Sequence, residues 1–149
     1  MSASISMSVS TDSAGTSQDV KHIECYDLYS MTKYKPLHEY LDVRRDVFKT
    51  YQFGEVLGTG AYSKVRVAYN QKNGVSEACK VFETNYCLGS PQRLQNVIRE
   101  AETLLSLKHP NILGFRDFYL SENYILLFTE KLDMNLFEYL NKYFDTLTE

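Results

Sequence analysis

The spacing of hydrophobic and polar positions changes several times along the chain. In the first 19 residues, MSASISMSVSTDSAGTSQD, serine and threonine dominate and no apolar face repeats. Such a segment buries too little surface to offset its ordering entropy, so residues 1–20 are expected to form a flexible tail. From His22 to Thr50 tyrosine and charge become frequent, and Leu37, Tyr40, Leu41, Arg44, Val47 and Phe48 recur at near-helical spacing. This predicts a short packed helix inside an N-terminal extension over residues 21–50. After Tyr51 the period shortens: Phe53, Val56 and Leu57, then Val65, Val67 and Tyr69, flank a glycine turn and predict two strands. Ala61, Val65 and Ala68 also fit a helical stripe, so alternation alone leaves both periods open there.

Lys72-Asn73-Gly74-Val75 carries a hairpin signal, because Asn and Gly tolerate positive φ, and residues 77–82 supply a third strand. Ser90-Pro91 marks a helix start: serine can accept an orphan backbone N–H, and proline at the first helical position loses no needed donor. Leu94, Val97, Ile98, Ala101, Leu104 and Leu105 follow with amphipathic spacing, and His109-Pro110 is expected to end the helix. Residues 112–115 and 124–128 then predict two strands around a polar turn at 121–123, and residues 136–144 begin another helical region.

Composition narrows the function classes. With 149 residues, 44% of them hydrophobic, the chain can bury one core. The formal net charge of -3 offers no long-range attraction to nucleic acid or anionic lipid, so neither is expected as a partner. Cys25, Cys79 and Cys87 have no C-x-x-C spacing and are odd in number, which argues against a disulfide framework and for a reducing compartment. There is no secretory h-region, no apolar run of bilayer length and no glycosylation sequon; the expected location is the cytoplasm or nucleus.

Chemistry concentrates in LGTGAYSKV, residues 57–65. Gly58-x-Gly60 alone divides evenly between a phosphate cradle and a hairpin that needs glycine for its backbone. The expected strand-turn-strand context disfavours a dinucleotide fold, which puts a helix N-terminus after the turn, and no Gly-Lys-Ser/Thr ending marks a P-loop. Lys80 lies in an otherwise apolar strand; it is either a snorkelling surface lysine or a cation for phosphate oxygens held by an acidic partner. Glu100 and Glu102 both flank the apolar stripe of the helix, and the helical wheel does not choose between them.

LGTGAYSKV, ACKVF with Lys80, a helix containing Glu100, and HPNIL at residues 109–113 follow in an order that resembles the N-terminal lobe of a eukaryotic protein kinase of serine/threonine type, from about Tyr51 to Phe144. The resemblance implies an α+β fold: a five-stranded antiparallel sheet with one major helix in an N-lobe and hinge over residues 51–132, then the start of a C-lobe over 133–149. It selects Glu100 over Glu102 as partner of Lys80. It also implies that Leu57, Val65 and Ala78 sandwich the adenine of ATP, while backbone N–H groups of Gly58, Thr59, Gly60, Ala61, Tyr62 and Ser63 approach its phosphates. Thr129 is then a gatekeeper, Glu130 and Leu132 offer hinge hydrogen bonds to adenine, and Asn135 contacts ribose or, equally, caps a helix. Leu104 and Phe115 belong to a hydrophobic spine or to ordinary core. Ser63, where the family pattern has its third glycine, resembles the loops of calmodulin-dependent kinases and is small enough for close backbone approach.

The family's H-R-D-x-x-x-x-N and D-F-G motifs do not occur in these 149 residues, and Arg116-Asp117-Phe118 falls in a strand, where Asp117 is expected to be structural or exposed. No catalytic residue is therefore expected within the chain. The resemblance implies a truncated kinase that is inactive by itself. With the missing C-lobe, the full-length enzyme would use ATP and Mg2+, with the metal's ligands beyond this chain, and would phosphorylate a protein substrate. The alternative is a noncatalytic kinase-like module that binds nucleotide or another protein.

Overall fold

The structure, a computed structural model, describes residues 27–42 and 44–147. The tail expected over residues 1–20 lies outside them. Five strands, β1 (Tyr51–Thr59), β2 (Ser63–Asn70), β3 (Ser76–Glu83), β4 (Phe115–Leu120) and β5 (Tyr124–Glu130), form one antiparallel sheet in the order β1-β2-β3-β5-β4. The helices are α1 (Leu28–Met31), α2 (Thr84–Leu88), α3 (Pro91–Ser106) and α4 (Leu136–Leu147), with 3-10 turns at Lys35–Tyr40 and Val47–Lys49. The α+β architecture inferred from the sequence is the one observed.

The β2–β3 hairpin closes through Gly74, whose φ of 74° falls where a side chain is strained. Asn70 and Asn73 reinforce it by accepting the N–H groups of Lys72 and Val75 at 3.0 and 2.9 Å. In α3, Pro91 occupies the first turn as the sequence implies, but Ser90 caps with its backbone rather than its hydroxyl. Its carbonyl accepts from Arg93 and Leu94, and its side chain makes no capping bond. The helix ends at Ser106, three residues before the expected stop at His109, because Leu107 turns extended while still bonding to Thr103.

Side-chain alternation gives the sheet two unlike faces. On the inner face, Phe82, Ile125 and Leu127 pack with Leu94, Ile98 and Ala101 of α3. On the outer face, Tyr51, Ala68, Cys79, Tyr119, Leu126 and Phe128 form a second cluster. The 27–50 segment serves both, and this corrects the reading of a single helix over residues 37–48. Leu37 and Leu41 enter the inner cluster whereas Val47 enters the outer one. One straight helix cannot present those residues to opposite faces of a sheet. The chain instead breaks between its two 3-10 turns, and the second is capped by the Asp46 carboxylate accepting from the N–H of Phe48.

The other correction concerns residues 112–114, which form a turn before β4 instead of its first residues. Ile112 N–H donates to the His109 carbonyl, and the Asn111 N–H donates to His109 Nδ1. Asp117, in β4, is structural: Arg45 pairs with it at 2.9 Å, donates to the Phe118 carbonyl, and lies 4.0 Å over the Tyr119 ring. The extension is thereby tied to the outer sheet edge.

Cys79 and Cys87 are free thiols with no exposed surface. Burial pushes Cys87 up to about 11 against an ordinary 9.0, and it raises Cys79 and the Tyr51 hydroxyl in the same direction. Above pH 9 the unfolded chain releases the Cys87 proton while the folded chain retains it, so stability falls as pH rises from 9 to 11. The expected loss attributable to Cys87 is about 2–3 kcal/mol. Urea midpoints at pH 8 and 10.5 check it. Equal midpoints, or an identical decline in Cys87→Ala, would contradict the assignment.

Candidate functional site

The turn between β1 and β2 is a tight loop in which the Gly60 N–H donates to the Ser63 carbonyl at 2.8 Å, with Gly58 opposite Val65 and Thr59 opposite Lys64. Two register shifts in β1, around Val56, alter its alternation just before the turn. Neither turn glycine is required by the backbone, since Gly74 is the positive-φ glycine among the described residues. A Cβ on Gly58 would meet nothing within 4 Å, and one on Gly60 would make ordinary contacts at 3.4 and 3.5 Å with Ser63. A hairpin needing glycine for its own geometry or packing would look different. Gly58 leaves open space against main chain, which is the condition for a ligand to approach it closely. At the tip, Tyr62 stacks on Tyr86 of α2 at 4.3 Å and 12°, with the Arg93 guanidinium 4.3 Å from the Tyr86 ring centre.

Sheet register brings the other residues onto the inner face below this turn. Val65 pairs with Lys80 and Lys80 with Leu127, while Val67 pairs with Ala78 and Ala78 with Thr129. Val65 and Ala78 are half-buried, Leu57 is exposed, and Thr129 is buried with its hydroxyl donating to the Glu130 carbonyl at 3.2 Å. Lys80 Nζ donates to Glu100 Oε1 at 2.7 Å, and the two side chains keep 33% and 38% of their surface exposed. The ammonium is therefore held in place yet still accessible, and two of its three N–H donors remain for another acceptor. The helical wheel left Glu100 and Glu102 equivalent; packing separates them. Glu102 faces the extension and accepts the N–H groups of Lys33 and Tyr34.

The residues expected to form a hinge begin at the last residue of β5, Glu130. The Glu130 N–H donates to the Gly114 carbonyl and its carboxylate accepts the Gly114 N–H at 2.8 Å, which bonds the end of β5 to the turn before β4. Leu132 is exposed. Asn135 caps α4 in a reciprocal box: its Oδ1 accepts the Glu138 N–H at 2.8 Å, and Glu138 accepts the Asn135 N–H at 2.9 Å. The cap occupies Oδ1. Leu104 and Phe115 both pack against the inner cluster.

A cavity of about 400 Å³ opens on the outer face, where the turn residues 60–63 line it together with Phe48, Phe53, Val81 and Leu126. Lys80 does not line it, so the turn borders this cavity while the Lys80–Glu100 pair lies on the other face of the sheet. Among the described residues no group of three His, Cys, Asp or Glu side chains is placed to hold a metal ion, and the Glu100 carboxylate is bonded to Lys80. The described residues therefore do not make a magnesium site. No helix among the described residues is long and apolar enough to cross a membrane.

The residues that sequence reasoning missed are Glu102 as an anchor, Tyr86 with Arg93 beside the loop tip, and the Arg45–Asp117 pair. None belongs to a local periodic pattern; each joins segments distant in sequence.

Residues 51–149 match the protein kinase domain family. Over 83 residues the chain is 30% identical to CBL-interacting protein kinase 9 of Oryza sativa subsp. japonica, covering 56% of this chain and 18% of that protein. Over 90 residues it is 30% identical to the carbon catabolite-derepressing protein kinase of Saccharomyces cerevisiae, covering 60% of this chain and 14% of that protein. A probable serine/threonine-protein kinase of Dictyostelium discoideum, fhkE, is 30% identical over 84 residues, or 56% of this chain and 12% of its own length. The chain thus spans less than a fifth of the length of these relatives.

Proposed function

The chain belongs to the protein kinase domain family, and on that premise we propose that it is the ATP-binding portion of a serine/threonine protein kinase. The observation that carries this reading is the Lys80–Glu100 pair on the inner face, beside a turn whose glycines are needed by neither φ nor packing. Val65, Ala78 and Leu57 supply apolar surface for the base, and the main chain of residues 58–63 approaches the phosphates. Lys80 donates to phosphate oxygens while Glu100 fixes its position. The main-chain groups of Lys131 and Leu132 orient adenine, because the Glu130 N–H and carbonyl are engaged by Gly114 and the Thr129 hydroxyl, and the Asn135 amide nitrogen, not used by the cap, is available to ribose. In the longer protein, the γ-phosphoryl group passes to a serine or threonine hydroxyl of a protein substrate, whose proton is released, leaving ADP. The role of this chain is positioning, which lowers the barrier by fixing the reacting phosphate.

Titration calorimetry of the 149-residue chain with ATP, ADP and adenosine tests the reading. ATP is expected to bind at least about tenfold more tightly than adenosine, because Lys80 and the loop engage phosphates. Equal affinities, or no binding at millimolar ATP, would reject it. The chain by itself is expected to give no γ-phosphate transfer to a protein acceptor.

One observation favours a second reading, a noncatalytic interaction module. Leu136, Phe137 and Phe144 of α4 are 72%, 73% and 62% exposed, an apolar surface of the kind that partners cover. The native reading frame discriminates: a continuation carrying both H-R-D and D-F-G supports the kinase, and one lacking both supports the module.

A further inference from the structure

Glu100 and Glu102 lie two residues apart on α3, so roughly 200° of helix rotation separates them and they face opposite ways. Glu100 reaches the sheet at Lys80. Glu102 reaches outward, where one carboxylate oxygen accepts two successive backbone N–H groups, those of Lys33 and Tyr34, the latter at 2.9 Å. Gln95, seven residues earlier and therefore on the same side as Glu102, donates its Nε2 to the Met31 carbonyl at 2.8 Å. These two anchors stand about 10 Å apart along the helix. Two separated anchors resist both sliding and rotation, whereas one would act as a pivot. Over the same stretch of α3, Leu94, Ile98 and Ala101 share a buried cluster with Leu28, Leu37 and Leu41 of the extension.

We infer that Glu102 is a positioning residue for the Lys80–Glu100 pair: by holding the backbone of residues 33 and 34 it sets the rotation of α3 at which Glu100 meets Lys80. The 27–42 segment is then a brace supplied by the chain itself. Rotation of α3 in either direction that carries Glu100 from Lys80 also drags Glu102 from its two N–H donors, so the two contacts form and break together. Among the described residues no cation pairs with Glu102, and its partners are backbone groups, whose positions do not depend on side-chain rotamers. A carboxylate suits this task because two converging N–H dipoles favour an anion over a neutral acceptor. The inference rests on the reading of Lys80 as a phosphate anchor only where nucleotide affinity is the readout.

The test uses the whole chain with Glu102→Ala and Glu102→Gln, followed by amide hydrogen exchange and ATP titration. Glu102→Ala is expected to speed exchange both at residues 31–34 and along α3, and to weaken ATP binding about fivefold. Glu102→Gln, which keeps an acceptor, restores most of both. In a Glu100→Ala background, adding Glu102→Ala leaves ATP affinity unchanged, since the pair it positions is already gone. Faster exchange confined to residues 31–34, or a full additive loss in the Glu100→Ala background, overturns the inference. Should Glu102→Ala not fold, Gln95→Ala reports the same coupling at lower amplitude, and unchanged α3 exchange in that variant also overturns it. If the unmodified chain binds no ATP, the nucleotide reading fails separately and the exchange pattern alone decides the positioning role.

Discussion

Lys80→Met is expected to lower the affinity of the chain for ATP about a hundredfold while leaving adenosine binding within about twofold. Methionine keeps the length and apolar stem of lysine, so it still lies beside the Phe82 ring, whose centre is 5.0 Å from Nζ. What disappears is the cation, and with it the charge-assisted bonds to phosphate. Glu100 loses its 2.7 Å partner and leaves an unneutralised carboxylate near the phosphates, which adds repulsion to the lost attraction. Both members of the pair are about one-third exposed, so solvent screens the uncompensated charge and the fold is expected to survive, with melting temperature shifted by only about 2–4 °C. In a longer protein carrying the catalytic loop, transfer is expected to fall by about a thousandfold. Calorimetry with ATP and adenosine, beside a transfer assay, makes the check. An ATP affinity unchanged by the substitution would show that Lys80 is a snorkelling surface residue after all.

Phe128→Ala is expected to destabilise the chain by about 4 kcal/mol. Phe128 has no exposed surface, stacks on Tyr51 at 4.0 Å, and meets the Tyr119 ring at 5.7 Å and the Phe53 ring at 6.1 Å. Removing its ring deprives three aromatic neighbours of contact at once, and strands β1, β4 and β5 are held by backbone pairing that limits collapse into the void. Because small domains have a total stability of about 5–15 kcal/mol, this single change approaches the threshold of unfolding. Phe128→Leu, which refills most of the volume, is expected to cost only about 1–1.5 kcal/mol. Urea denaturation of the two variants gives the comparison. A loss below about 1 kcal/mol for the alanine variant would mean that the outer cluster contributes little to holding the sheet.

The parts of this molecule that were legible in the sequence share one property: a short-range period or a turn signal sets them. Asn73-Gly74 marked the hairpin and with it the strand reading of β2 and β3, which alternation alone left open at Val65 and Ala68, and the apolar stripe marked α3, because each depends on neighbours only a few residues away. The extension was misread for the complementary reason. Leu37 and Val47 are spaced as if on one helix, but the destination of each is set by which face of the sheet the chain is crossing. Glu100 and Glu102 show the same limit at a single site. The helix is shared, the residue type is shared, and only the positions of Lys80 and of residues 33–34, far away in the chain, distinguish them. Asn135 carried two readings, and the described capping box occupies its oxygen without using its amide nitrogen.

The Val65–Lys80–Leu127 register has a consequence for how the chain can change in length. An extra residue in the 71–74 turn lengthens a closed loop and costs only a small increment of closure entropy. An extra residue within Ser76–Glu83, upstream of Lys80, would reverse every later side chain in that strand. Lys80 would then point to the outer face, toward the cavity lined by Val81 and Leu126, and Glu100 would face Cys79 or the inserted residue instead of an ammonium. The strand is therefore intolerant of insertion and deletion to a degree that its composition does not reveal, while the turn beside it is free to drift.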